Sequence, residues 1–343
     1  MEMQIGGLLT TAMAVMPHRD AERALRTALS LDIPFWPQLP LLSYYEDMYV
    51  QASEHFPGIW VDMEKRTIGF SMDRFVAEFE EVLAHFDDAP YFDISEAYST
   101  VYHRFLQMDL LDRPAIRGQL EGPISFGLNV VDEDKRPILF NETVRSFMFD
   151  FMARRLNAQL RRLKAINPHA FMFVDEPGLQ YIFSAMSGYD GVAGKRDMEM
   201  FFAGVERPRG VHLCGNPDWD FLLGLDLDVL SLDIFSNGEI FVSYAGSILR
   251  FLKRGGRIVW GIVPTNFEPF SNESLASLEK RLLDCWRILE RNGVDRDLLL
   301  SQSLLSPATC CLVNHDGEVT VEKAFSEINA LSRVLRERFK LAG

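Results

Sequence analysis

The 343-residue chain has only four cysteines, and two of them, Cys310 and Cys311, are adjacent. A disulfide framework is excluded, and a reducing compartment, the cytoplasm, is the expected location. No run of eighteen apolar residues occurs, so no membrane-spanning helix is expected. Positive charge is scarce: 35 Lys and Arg against 49 Asp and Glu leave a net charge of −14. Such a surface repels phosphate backbones, which excludes nucleic acid as a partner. No Gly-x-Gly-x-x-Gly follows the first apolar run, since Gly6-Gly7 precedes it. That argues against a nucleotide-binding doubly wound sheet. The apolar stretch Met1–Pro17 has no basic start and carries two glycines, so it reads poorly as a signal peptide. Repeats, low-complexity segments and linkers are also missing, and the expectation is a single domain over 1–343.

What is present is 48% apolar and alternates. Short apolar runs are followed by longer segments with helical spacing. Eight runs read as strands: Leu8–Val15, Pro34–Pro37, Gly118–Ile124, Ala170–Val174, Gly210–Cys214, Val229–Leu232, Ile258–Ile262 and Leu298–Leu304. Helices are expected over Glu142–Ile166, capped by Asn141, and over Ser271–Asn292 and Val321–Leu341. In the first of these, Val144, Phe147, Met148, Phe151, Met152 and Leu156 recur at three- and four-residue steps, one face of a helix. Between Pro37 and Gly118 the pattern gives helices, with Trp60-Val61 a weak strand candidate. The alternation predicts an α/β fold, an eight-stranded parallel (TIM-type) barrel with a helical insertion after the second strand.

Chemistry concentrates at the expected strand ends. His212-Leu213-Cys214 closes one run, and residues two apart on a strand share a face. Imidazole and thiol are zinc-type ligands. Asp175-Glu176-Pro177 follows another run, Asp233 ends a third, and Cys310-Cys311 lie beyond the last. In a parallel barrel these ends form one rim. Dispersed ligands of this kind suit a catalytic rather than a structural metal site. Blander readings stand beside each residue. The cysteines could be small buried hydrophobes. Asp175 could begin a helix, with Pro177 in its first turn, and Asp233 could cap the next segment. Glu239 is an alternative fourth ligand that also reads as helix first-turn charge. Cys285 reads as packing. Of the remaining histidines only His18, just after Met16-Pro17, stands at a strand end; it is assigned to substrate with Asp175 and Glu176.

The stretches Glu121-Gly122-Pro123-Ile124-Ser125, Val174-Asp175-Glu176-Pro177-Gly178-Leu179, His212-Leu213-Cys214, Asp228-Val229-Leu230-Ser231-Leu232-Asp233 and Ser306-Pro307-Ala308-Thr309-Cys310-Cys311-Leu312 occur in this order. Together they resemble the C-terminal catalytic barrel of cobalamin-independent methionine synthase, within the uroporphyrinogen-decarboxylase-like barrel superfamily. The resemblance implies zinc held by His212, Cys214, an acid at 233 and Cys310, the last chosen because Leu312 then matches a Cys-x-Leu register. It implies that Asp175 holds the amino group of homocysteine. The chain departs from that family in four ways. It has no second, N-terminal barrel half. Asp233 stands where Glu is usual. Val15 replaces a serine that contacts the amino acid. A His-Gly-Glu motif has no counterpart near Pro40–Met48. Short relatives resemble corrinoid-linked methyltransferases. The expected activity is therefore zinc-dependent transfer of a methyl group from methylcobalamin, or a folate, to a thiol, homocysteine giving methionine first. A corrinoid carrier protein is the expected partner. Rival readings are transfer to another thiol of the coenzyme M kind, a porphyrinogen-type decarboxylase without metal, and a non-catalytic binding barrel.

Overall fold

The computed structural model describes residues 5–182, 189 and 191–341, so the first four residues of the Met1–Pro17 stretch lie outside it. Among the described residues nine strands form: β1 (Leu9–Thr10), β2 (Ile59–Asp62), β3 (Thr67–Phe70), β4 (Arg117–Glu121), β5 (Phe171–Asp175), β6 (Arg209–Leu213), β7 (Val229–Asp233), β8 (Arg257–Val263) and β9 (Ser303–Pro307). Seven make one parallel sheet in the order β1-β9-β8-β7-β6-β5-β4. Helices cover it, the longest being Glu142–Lys164 and Val319–Phe339. Asn141 starts the former, its Oδ1 accepting from the Val144 amide at 3.2 Å. No helix among the described residues is long and apolar enough to cross a membrane.

The expected eighth strand, Pro34–Pro37, is not one. The segment makes only isolated parallel bridges, Phe35 to Arg117 on β4 and Gln38 to Val15 beyond β1. Both edges of the sheet thus reach the same short segment, which requires the sheet to curl. Pro34 and Pro37 explain why the ladder fails there, since neither has an N–H to donate. The amides that remain do pair: Ile33 donates to Thr10 and Gln38 to Ala14 at 2.9 and 2.8 Å, and Arg117 donates to Pro34 at 3.0 Å. Where β4 would next pair with the Trp36 carbonyl, the side chain of Gln119 donates instead, at 3.0 Å.

Other boundaries shift for local reasons. Leu8–Val15 shrinks to the two residues of β1. Of Leu298–Leu304, the first part is helical: Asp295 caps the helix Arg296–Ser301 by accepting from the amides of Asp297 and Leu298. Segment 40–116 is not purely helical. Beside the helices Met48–Ser53, Met72–Ala84 and Thr100–Phe105 it holds an antiparallel hairpin, β2 with β3, in which Trp60 pairs with Gly69. Asp62 turns that hairpin by accepting from the amides of Glu64 and Lys65, and Arg66 takes the left-handed conformation.

Strand parity sorts the side chains. Met172 and Val174 of β5, Val211 and Leu213 of β6, and Leu230 and Leu232 of β7 join the large core under the helices. Their alternates Phe171, Phe173, Val229, Val259 and Leu304 form a second, inner cluster with Ile5, Ile33 and Ala115. Asp175, His212, Asp233 and Ser306 continue that inner face toward the C-terminal ends of their strands.

Candidate functional site

Register brings the ends together. Glu121 lies opposite Asp175, Asp175 opposite His212, His212 opposite Ser231, and Leu213 opposite Leu232, which puts Cys214 beside Asp233. Cys310 arrives from the loop after β9. Its sulfur feels the charges of Cys214 and Asp175, and that of Cys214 feels Asp175 and Asp233. The Thr309 side chain hydrogen-bonds both sulfurs. Both cysteines touch solvent, yet protein crowds them. Burial pushes Cys310 up to about 12 and Cys214 above the ordinary thiol value. Cys311 turns away: it is buried, with Sγ 3.0 Å from Asn266 Oδ1 and 3.4 Å from the Val313 carbonyl.

His212 is buried, and its Nδ1 lies 3.0 Å from Ser231 Oγ. Burial, aided by the Arg117 charge, pushes its imidazole down to about 3, so it is neutral. Asp233 is buried too, and burial raises its carboxyl. It caps the helix Ile234–Val242, Oδ1 accepting from the Ser236 amide at 2.9 Å. The alternative fourth ligand, Glu239, is exposed on that helix and lines a surface cleft with Lys280 and Arg281 rather than the rim. Cys285 packs in the large core.

Asp175 is buried and its Oδ1 has no hydrogen-bond partner among the described residues. Burial lifts its carboxyl to about 7, opposed by Arg117. Glu176, assigned to substrate from the sequence, is engaged by a neighbouring helix start. Its oxygens accept from the amides of Ile124 and Ser125, both at 2.9 Å, and from the Ser125 hydroxyl at 2.6 Å. It thereby holds the start of the helix Pro123–Asn129 against β5. Only glycine fits at 122, where a Cβ would come within 2.1 Å of the Glu176 carboxyl carbon. His18 is fully buried, and its Nε2 pairs with Glu322 Oε1 at 3.1 Å, a carboxylate shared with Arg23. It is not drawn into the cysteine group.

Four contributors escape a reading by motif. Glu121 ends β4 beside Asp175; its Oε1 is buried without a partner, and burial holds its carboxyl well above the usual range. The Tyr49 hydroxyl, from segment 40–116, hydrogen-bonds this carboxyl. Arg117 is buried on the inner face between the rings of Phe35 and Phe173, at 4.5 and 5.0 Å. Its charge bears on both Asp175 and His212. Ser231 is the fourth. Glu121 and Ser231 lay within matching stretches without a role assigned to them, and on β4 Arg117, Gln119 and Glu121 are polar at every second place of a buried strand.

In kind, an imidazole, two thiols and a carboxylate on neighbouring strand ends match a zinc donor set. In arrangement they are not gathered: among the described residues no three His, Cys, Asp or Glu side chains form a group able to hold a metal ion. Asp233 spends one oxygen on its helix.

The curled parallel sheet with helices outside and polar groups at its C-terminal rim defines an α/β barrel-type protein. Among solved structures the chain shares its fold with a B12-independent methionine synthase from Shewanella sp. W3-18-1, described in complex with selenomethionine. The TM-score is 0.56 and the identity 13%, with 100% of both chains covered. A methyltransferase from Methanosarcina mazei gives a TM-score of 0.56 at 12% identity, covering 97% of this chain and 94% of that one. No protein-family model and no curated protein sequence matches.

Proposed function

We propose that this protein is a zinc-dependent methyltransferase that moves a methyl group from a methyl-corrinoid to a thiol carrying an ammonium group, homocysteine giving methionine. The observation that carries the choice of thiol is the pair of buried, unpartnered carboxyl oxygens, Glu121 Oε1 and Asp175 Oδ1, on neighbouring strand ends, the second of them within reach of the rim cysteines' charges. Buried polar atoms without partners cost free energy, and a cationic ligand that pairs with them removes that cost. An anionic thiol of the coenzyme M kind brings no cation to pair with these acids. A porphyrinogen decarboxylase is disfavoured on similar grounds, because its substrate's carboxylates need cations and the rim offers acids. The fold shared with a methionine synthase and a methyltransferase supports methyl transfer as the reaction class.

The ligands named are His212, Cys214, Asp233 and Cys310. The chemistry zinc supplies when bound is positive charge that keeps a thiol ionised at neutral pH. The chain's own residues do the rest. Asp175 and Glu121 take the ammonium group and so orient the substrate's sulfur toward the cysteines. Tyr49 holds Glu121 in place. Glu176 fixes the β4 and β5 ends from behind. Arg117 balances the buried negative charge from below. The methyl donor, methylcobalamin free or on a carrier protein, approaches from the solvent side, where Cys214 and Cys310 are exposed.

The test is metal analysis of the purified chain together with demethylation of methylcobalamin against a thiol panel. About one zinc per chain is expected, with faster turnover of homocysteine than of coenzyme M. Preference for coenzyme M would overturn the choice of thiol. Turnover with methyl-tetrahydrofolate and no corrinoid would overturn the choice of donor.

A further inference from the structure

Within segment 40–116 the hairpin of β2 and β3 and the helix Met72–Ala84 border a cavity of about 500 Å³. No residue assigned to the rim lines it. Its base is apolar, from the buried side chains of Phe56, Ile59 and Val82. Its walls are aromatic. Trp60 lies against Gly69, its partner in the ladder, where a Cβ would come within 2.2 Å of the indole. The missing side chain thus seats the ring on the hairpin, and 43% of Trp60 stays exposed. Tyr45 and Tyr98 meet edge to face, centroids 5.1 Å apart. Tyr91 is held between the imidazoles of His55 and His85, at 4.3 and 4.2 Å, so it offers the cavity an edge rather than a face.

The charge on these walls is negative. Arg74 donates from Nε and Nη2 to Glu78 Oε1, at 3.0 and 2.8 Å, and Glu78 Oε2 accepts from the Gly58 amide. That pair cancels. Glu81, on the same helix, is exposed and has no ion pair among the described residues. We propose that this cavity binds a small organic cation with an alkylated ammonium head, a quaternary amine. Such a head has no N–H to satisfy and is drawn to electron-rich rings, while Glu81 supplies the opposite charge. A primary ammonium would give up hydration that rings cannot replace. The inference does not depend on the reading of the rim.

Trp60 makes the site readable, because Trp36, Trp219, Trp260 and Trp286 are all buried. The probes are choline and its uncharged isostere 3,3-dimethylbutan-1-ol, followed by tryptophan fluorescence and by calorimetry. Choline should change the fluorescence saturably at millimolar concentration, and the isostere should not. Calorimetry should show Trp60→Ala binding choline about tenfold more weakly, with a smaller loss in Glu81→Gln. Both positions are exposed, so neither change threatens the fold. No response to choline, or equal binding of the isostere, would overturn the proposal. Choline binding that survives intact in Trp60→Ala would do so too, by placing the cation elsewhere, at the acids of the rim.

Discussion

Asp175 and Glu121 are the pair on which the proposed choice of thiol rests. They lie in register on neighbouring strands, each with a buried oxygen that finds no donor among the described residues. Changing Asp175 to Asn, or Glu121 to Gln, keeps size and removes the capacity to become a carboxylate that pairs with an ammonium group. Either change should weaken the affinity for homocysteine about ten- to a hundredfold, the roughly 1.5–3 kcal/mol of a charge-assisted hydrogen bond, while zinc content stays the same. Thiol affinity and bound zinc measured on the same samples check this. Unchanged affinity would leave the acids without a substrate role. Against the reading of Asp175 as the cap of the helix that follows it, its Oδ1 accepts from no amide among the described residues, while Glu176 meets the amides of a different helix start, at Pro123. That His212 and Cys214 reach the same rim was legible from two-residue spacing alone. Glu121 was visible in the sequence only as part of a matching stretch. Tyr49 gave no signal, because its approach depends on how segment 40–116 folds back.

At the scale of elements, Glu176 joins β5 to the helix Pro123–Asn129, and that joint should respond to pH. Burial raises the Glu176 carboxyl from 4.5 to about 7 in the folded chain. Folded protein therefore keeps this proton over a pH range in which the unfolded chain has released it. Stability is greatest below the unfolded value and falls as pH rises through the window to about 7. Asp175, raised from 3.8 to about 7, acts in the same direction. Glu176→Gln removes one titrating group, so the decline in urea midpoint between about pH 4.5 and 7 should flatten. An unchanged slope would show that the carboxyl is already ionised in the fold. Helices were the most legible elements: Glu142–Lys164 ends within two residues of its expected span, because its apolar period and Asn141 cap are both local. Strand ends were less so. Asp295 converts Leu298–Leu300 to helix with two hydrogen bonds, which an apolar run by itself does not reveal.

For the whole molecule, the critical joint is the seam at 33–38. Alternation of strand and helix made the α/β class readable. It could not show that one apolar run, flanked by Pro34 and Pro37, bridges both sheet edges without forming a strand. Gln119 substitutes for the missing ladder there, donating to the Trp36 carbonyl and accepting from Arg117 Nη1 at 3.1 Å. Gln119→Leu keeps the bulk and leaves that carbonyl unpaired. It should cost about 1–3 kcal/mol, read as a lower denaturant midpoint. A leucine variant as stable as wild type would show that the seam does not depend on this bond.

The order of strands also sets a timetable for synthesis. Strands β4 to β9 are neighbours in the order in which a ribosome releases them, so each can dock on the one before. Strand β1 cannot: Leu9 pairs with Leu304 and Thr10 with Leu305. The first strand made must wait, one edge open, until the last has emerged, and contacts of such long range form slowly. The helix Val319–Phe339 then fastens it, Ser332 donating to the Leu8 carbonyl at 2.7 Å and Asn329 accepting from Thr10 at 2.8 Å. A nascent chain stalled before β9 would carry nearly all the residues of the rim and none of the closure that holds them in place.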